Sequence, residues 1–149
     1  QVYGLTKGQA SPTSELGFTT KVQTHGVSAT PMNALALAVA QGCSFVARTF
    51  SGDREHMVKT MGAALQHRGF ALLEILQPCV SFNALNTLKW YKERVQPVAD
   101  DYDPTDRDAA LQQALTWGET IPIGVLYRND RPPFEVDAWR AVGATKALP

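Results

Sequence analysis

SFVARTF at positions 44–50, SGDREHMVKTMGAALQHRG at 51–69 and FALLEIL at 70–76 follow one another directly, and together they spell a strand, a helix and a second strand. The first run is rich in β-branched and aromatic residues, as a strand should be. Asp53 is placed to cap the helix that follows, in which Met57, Met61 and Leu65 recur at i+4 beside Val58 and Ala64 to give one apolar stripe. His67 and Arg68 fall in its expected last turn, at the negative end of the helix dipole, before Gly69. FALLEIL is a continuous apolar run bounded by Gly69 and Pro78, the pattern of a strand buried inside a parallel sheet.

Working upstream, Thr30 and Pro31 offer an N-cap and a first-turn proline for a helix over 31–41 that stops at Gly42. That helix is apolar on nearly every side and should be buried on several. Before it, residues 1–30 are rich in Gly, Ser and Thr without a sustained period, and read as loop with short extended pieces. So long a loop in a small domain usually binds something or packs against further chain.

Working downstream, residues 83–95 predict a third helix, and Asp103, Pro104 and Asp106 open a fourth that runs to Trp117. PIGVLY, 122–127, is a last strand; in the tail, 136–142 predicts a short helix. Strands alternating with helices argue for an α/β fold, a mainly parallel sheet with helices on both faces. The chain reads as a single domain, 1–149, with 128–149 as a C-terminal tail. In such sheets ligands sit beyond the carboxyl ends of the strands, which singles out the loops after Phe50 and Leu76.

Fourteen Lys plus Arg balance fourteen Asp plus Glu, so the basic excess that nucleic-acid binding needs is missing. No apolar run approaches the roughly 20 residues of a membrane span. Cys43 and Cys79 have no close Cys or His companion, which excludes a self-contained zinc module and gives no sign of a disulfide scaffold; a cytoplasmic setting is the default expectation. The first residue is Gln1 rather than Met, so further residues are expected upstream.

Local chemistry offers few constellations. His56 and His67 read as ordinary helix residues, while His25, in the long loop, has either a binding role or none. Cys43 reads as a small buried hydrophobe. Cys79, after Pro78 at the carboxyl end of a strand expected to be central, reads equally as a buried thiol or as a metal or cluster ligand, though one thiolate cannot hold a cluster by itself. The opening VYGLTKGQASPTS, residues 2–14, combines glycines that let backbone amides approach an anion with four hydroxyls and one lysine. A phosphate site is chemically sensible there, although most loops of that composition bind nothing.

The opening segment, with GCSFVAR (42–48), EILQPCVSFN (74–83), WYKER (90–94), PIGVLY (122–127) and Arg131, Pro132, Phe134 and Glu135, resembles the β subunits of 2-oxoacid:ferredoxin oxidoreductases, in family order over essentially the whole chain. The resemblance implies the C-terminal part of a thiamine diphosphate-binding fold. It implies that Val2 supplies a backbone carbonyl to Mg2+, a hard cation that takes oxygen ligands. Gly4, Leu5 and Thr6 would lie against the cofactor, Thr6 as a diphosphate donor, and Lys7 would meet the 2-oxoacid carboxylate. The family's magnesium-binding Asn would lie immediately before Gln1, and the Asp of its Gly-Asp-Gly element some thirty residues further upstream. Cys79 matches the fourth ligand of the family's [4Fe-4S] cluster, the other three coming from upstream.

The implied reaction is oxidative decarboxylation of a 2-oxoacid, with coenzyme A taking the acyl group and ferredoxin the electrons, at a site completed by an alpha subunit. The wording of TKGQ and QPCVSFN leans toward 2-oxoglutarate. Two alternatives stand beside it: a cluster-free thiamine diphosphate decarboxylase or synthase, and a non-catalytic domain that only binds a partner subunit.

Overall fold

The computed structural model describes residues 2–141 and 143. In chain order the elements are β1 (Val2–Tyr3), β2 (Gln9–Ala10), α1 (Ala34–Ala40), β3 (Phe45–Phe50), α2 (Arg54–Gln66), β4 (Ala71–Leu76), α3 (Leu88–Lys92), β5 (Val95–Pro97), α4 (Arg107–Leu115), β6 (Ile121–Arg128) and α5 (Phe134–Ala141). Two strand–helix–strand units, β3–α2–β4 and β5–α4–β6, are each parallel within themselves and meet through an antiparallel β3/β6 pairing. The sheet order is β4-β3-β6-β5. The mainly parallel sheet expected from the sequence is therefore present, with one antiparallel seam at its centre.

Alternation along β3 separates the two faces. Val46 joins Leu35 and Val39 of α1 and Ala110 and Ala114 of α4 in one apolar cluster, while Phe50 meets Tyr91 of α3 in a second. Residues of the opposite parity look the other way, toward α2: Thr49 Oγ1 lies 2.8 Å from His56 Nδ1, and the Phe45 ring rests 5.3 Å from the His67 ring. Helices thus cover both faces, α1, α3 and α4 on one and α2 on the other.

Several boundaries differ from the sequence expectation, each for a local reason. The N-cap of α1 is Asn33, whose side chain accepts from the Ala36 N–H, so Thr30 and Pro31 stay in the loop. Only Leu35 and Val39 of α1 are buried, and Leu37 is half exposed. Asp103 folds into an Asx turn with Thr105, leaving Asp106 as the cap of α4. The expected 83–95 helix divides into a capping turn at Asn83, the short α3 and the strand β5. Of the tail helix expected over 136–142, α5 supplies the body from Phe134 onward; Val142 lies outside the described residues.

The largest difference concerns α2 and β4. Asp53 does cap α2, but His67 and Arg68 lie beyond its last turn, with His67 extended at the C-cap. Thr60 and His56 face the sheet, whereas Val58, Met61 and Leu65 of the expected core stripe are exposed, Leu65 to 84%. β4 is not central: it is the outer strand, half-buried along most of its length, and pairs only with β3 among the described residues.

The polar α2 layer makes stability sensitive to acid. Partial burial pulls the His56 imidazole below its ordinary 6.5, with Asp53 acting in the opposite direction. Below 6.5 the unfolded chain takes up a proton that the folded chain still refuses, so the contribution is complete above 6.5 and falls away as pH drops through and below it. Between about pH 7.5 and about pH 5.5 the wild type should lose more of its urea midpoint than His56→Gln. Parallel losses in the two proteins would remove His56 from the acid response.

Candidate functional site

β1 and β2 form a hairpin in the register Val2 opposite Ala10 and Tyr3 opposite Gln9. Nested turns, Gly8 N–H to Tyr3 O at 2.9 Å and Lys7 N–H to Gly4 O at 3.0 Å, push Leu5, Thr6 and Lys7 out at its tip. Leu5 is 99% exposed. Thr6 donates its hydroxyl to Tyr3 O at 3.3 Å. Lys7 has φ of 65°, the left-handed region, and is the one non-glycine residue there among the described residues. Such a conformation costs a lysine of order 1 kcal/mol.

The hairpin is seated on the loop that follows β4. A Cβ added to Gly4 would stand 3.2 Å from Cys79 Sγ, and one added to Gly8, whose φ is +100°, would stand 3.3 Å from Phe82 Cβ. At Gly8 the positive φ favours glycine outright, and at Gly4 a side chain would press on the Cys79 thiol, so the two glycines let the backbone lie close against residues 79–82. The opening segment and Cys79, far apart in sequence, are therefore neighbours at the carboxyl end of β4.

Loop 77–87 is braced from within. The Asn83 N–H donates to Cys79 O, while Asn83 Oδ1 accepts from the N–H groups of Leu85 and Asn86. The two cysteines then part company. Cys43 directs its thiol toward Phe45 O at 3.4 Å and Phe70 O at 3.7 Å, and burial pushes its pKa up, as for an inert structural thiol. Cys79 is a half-buried free thiol with no hydrogen-bond partner among the described residues.

Other candidates separate from this cluster. His25 is exposed, and its ring makes no hydrogen bond among the described residues. His67 Nε2 lies 2.8 Å from Ser44 Oγ, a structural contact at the opposite end of β3. The hydroxyls of Ser11 and Ser14 brace their own turn, Ser14 Oγ accepting from the Ser11 N–H at 2.9 Å. No three His, Cys, Asp or Glu side chains gather as a metal nest among the described residues.

Sequence reasoning missed one constellation. Arg48 and Glu74 are paired across β3 and β4, with Nε 2.7 Å from Oε2 and the arginine only 2% exposed. The signal was available: each apolar strand is interrupted once by a charge, of opposite sign.

A family model described as the thiamine pyrophosphate enzyme C-terminal TPP binding domain matches residues 1–75. A second, which describes the C-terminal region of the pyruvate ferredoxin oxidoreductase beta subunit, matches residues 79–141, starting at Cys79. The chain belongs to the β subunits of the 2-oxoacid:ferredoxin oxidoreductases. It is 38% identical over 143 residues to the 2-oxoacid:ferredoxin oxidoreductase β subunit of a Sulfolobus species, covering 89% of this chain and 47% of that one. It is 41% identical over 140 residues to the subunit β of 2-oxoacid:ferredoxin oxidoreductase 1 of Aeropyrum pernix, covering 87% and 44%. The chain thus spans just under half the length of these curated relatives.

The 2-oxoglutarate:ferredoxin oxidoreductase from Magnetococcus marinus, solved with 2-oxoglutarate, coenzyme A and succinyl-CoA bound, superposes with a TM-score of 0.87 at 32% identity. That match covers 99% of this chain and 52% of the other. No helix among the described residues of this family member is long and apolar enough to cross a membrane.

Proposed function

We propose that this chain serves in the thiamine diphosphate-dependent oxidative decarboxylation of a 2-oxoacid to an acyl-CoA, with electrons leaving through a [4Fe-4S] cluster to ferredoxin. The observation that carries the reading is the 3.2 Å approach between the Gly4 Cβ position and Cys79 Sγ. It sets the hairpin assigned to the cofactor beside the one thiol assigned to the cluster, so a donor and an acceptor of electrons would be neighbours. Thiamine diphosphate supplies the carbanion chemistry, and the protein supplies binding and orientation.

Each residue has a share that its surroundings support. The Val2 carbonyl is an oxygen donor of the kind magnesium takes. Gly4 lets the backbone pass close to Cys79. Leu5 and Thr6, exposed at the hairpin tip, offer an apolar contact and a hydroxyl to the cofactor. Lys7, exposed and held in a costly conformation, offers its ammonium to the substrate carboxylate. Cys79, unbonded, has its thiol available as one ligand of four. The fully exposed Leu5 also favours an alpha-type subunit that closes over the tip.

The complete protein, produced with its alpha-type partner, should reduce ferredoxin with a 2-oxoacid and coenzyme A, 2-oxoglutarate being preferred over pyruvate. A complex loaded with thiamine diphosphate and iron that turns over no 2-oxoacid would sink the reading, and full activity without iron would favour the cluster-free one. The 149 residues by themselves should bind magnesium thiamine diphosphate weakly or not at all, because the Asp and Asn ligands implied by the family are not among them. Tight magnesium-dependent binding in a calorimeter would contradict that.

A further inference from the structure

At the hairpin tip Lys7 and Gly8 are two successive residues in the left-handed region, with φ of 65° and 100°. Glycine adopts that region freely and lysine does not, so the turn relaxes unless its neighbours hold it. Within the tip two backbone bonds do so, Gly8 N–H to Tyr3 O and Lys7 N–H to Gly4 O. A third bond comes from outside the hairpin. Thr20 Oγ1 donates to Gly8 O at 2.7 Å, the one hydrogen bond that this carbonyl accepts among the described residues.

The direction of that bond is fixed by chemistry. The same oxygen accepts from the N–H groups of Val22 at 3.3 Å and Gln23 at 3.1 Å, and because an amide N–H can only donate, the single hydroxyl hydrogen goes to Gly8 O. The threonine packs against the glycine as well. A Cβ added to the buried Gly8 would stand 3.3 Å from Thr20 Cβ, from Thr20 Cγ2 and from Phe82 Cβ, so the residue after Lys7 is held by contact on top of the hydrogen bond.

Thr20 itself is mounted on a rooted loop. Gly17 N–H donates to Val27 O at 2.7 Å, Val27 N–H to Phe18 O at 3.1 Å and Thr20 N–H to Gln23 O at 3.2 Å, while Phe18 and Val27 are buried at the base. Gly26 crosses Gly17 so closely that an added Cβ would stand 3.0 Å from Gly17 O. A supporting group fixed in this way can lock the geometry of the residue it touches.

We infer that Thr20 is the positioning residue for Lys7: through Gly8 O its hydroxyl holds the lysine in the left-handed conformation, and so keeps the ammonium where the 2-oxoacid carboxylate is to be met. The inference rests on the role given to Lys7 in the proposed reaction. One hydrogen bond and the cost of one left-handed lysine are of similar size, so removing the bond is enough to let the tip relax without unfolding the domain.

The test is steady-state kinetics of the complete protein with its alpha-type partner, reading the KM for the 2-oxoacid apart from kcat and iron content. Thr20→Val keeps the branched shape and removes the hydroxyl; KM should rise about fivefold, the loss of one hydrogen bond, with kcat and iron unchanged. Thr20→Ser keeps the hydroxyl and should restore the wild-type KM. Gln23→Ala removes the bond from Gln23 Nε2 to Gly26 O in the same loop and spares the one to Gly8, so KM should stay put. Lys7→Ala should raise KM about tenfold or more, and Thr20→Val added to it should raise it no further, because no ammonium is left to misplace. Circular-dichroism melts check folding; were Thr20→Val not to fold, Thr20→Ala carries the same expectation. An unchanged KM on loss of the hydroxyl, no rescue by serine, an equal rise in Gln23→Ala or a full further rise in the double variant would each overturn the inference and leave the role of Lys7 standing. An unchanged KM in Lys7→Ala would overturn that role and the inference with it.

Discussion

In the complete protein, Cys79→Ser is expected to strip the iron-sulfur cluster: bound iron should fall from about four atoms to a small fraction, and the broad visible absorbance should go with it. Serine is nearly isosteric with cysteine, but its oxygen reaches less far and is a poor partner for iron, so the change removes one ligand without disturbing the loop. Asn83 and Asn86 brace that loop through backbone groups and through each other, and none of their bonds uses the thiol. Ferredoxin reduction should drop roughly a hundredfold or more, since losing a first ligand costs at least what losing its supports does. Cys43→Ser is the internal control: that thiol donates to carbonyls, a bond serine can reproduce, and iron should stay in place. Unchanged iron and absorbance in Cys79→Ser would end the assignment of Cys79 as a ligand.

Arg48→Ala should unfold the protein or bring it close to unfolding. The guanidinium is spread over Glu74 Oε2 at 2.7 Å, Ala114 O at 3.2 Å and Pro122 O at 3.4 Å, and its carbon lies 5.6 Å from the Trp117 ring centroid. It therefore ties β3 to β4, to the end of α4 and to β6 at once. Truncation strands the Glu74 carboxylate beside a cavity, while Ala114 O keeps the bond it accepts from Asn33 Nδ2 at 2.8 Å. Breaking such a pair costs about 3–5 kcal/mol, a large part of the roughly 5–15 kcal/mol that holds a domain together. Arg48→Met with Glu74→Met should recover much of the loss, because the penalty lies in the abandoned charge rather than in the missing attraction. Urea titrations decide it: a loss under about 1 kcal/mol for Arg48→Ala would show that water reaches the pair freely.

The elements read correctly were those with a strong local signature. SFVARTF and PIGVLY became strands as short apolar runs with β-branched and aromatic residues, FALLEIL as a short apolar run closed by Gly69 and Pro78, and Asp53 capped α2 because an aspartate before a helix satisfies its first N–H groups. What failed depended on partners outside the local window. The Met57–Met61–Leu65 stripe has helical spacing, yet the sheet side of α2 was taken by His56 and Thr60, whose hydrogen bonds to β3 and to the helix backbone decide its rotation. β5 is three residues long and ends in proline, too short to outweigh the helical pattern around it. The Gly4–Cys79 contact has no local signature, and only the family likeness pointed to it. The self-bracing of the SPTS turn and of Asn83 with Asn86 was hidden for the same reason: side chains that look like ligand donors were bonding their own loop.

During synthesis or refolding, β4 is the strand most at risk. Its outer row of amides and carbonyls has no partner strand among the described residues, its sequence holds neither proline nor lysine, its pairing with β3 is free of bulges, and the exposed Phe70 and Leu65 lie close by. Apart from the charge of Glu74, little there discourages a second molecule from zipping on, so the 149 residues made alone should be prone to inclusion bodies. Solubility would then depend on covering that flank early, before copies can meet.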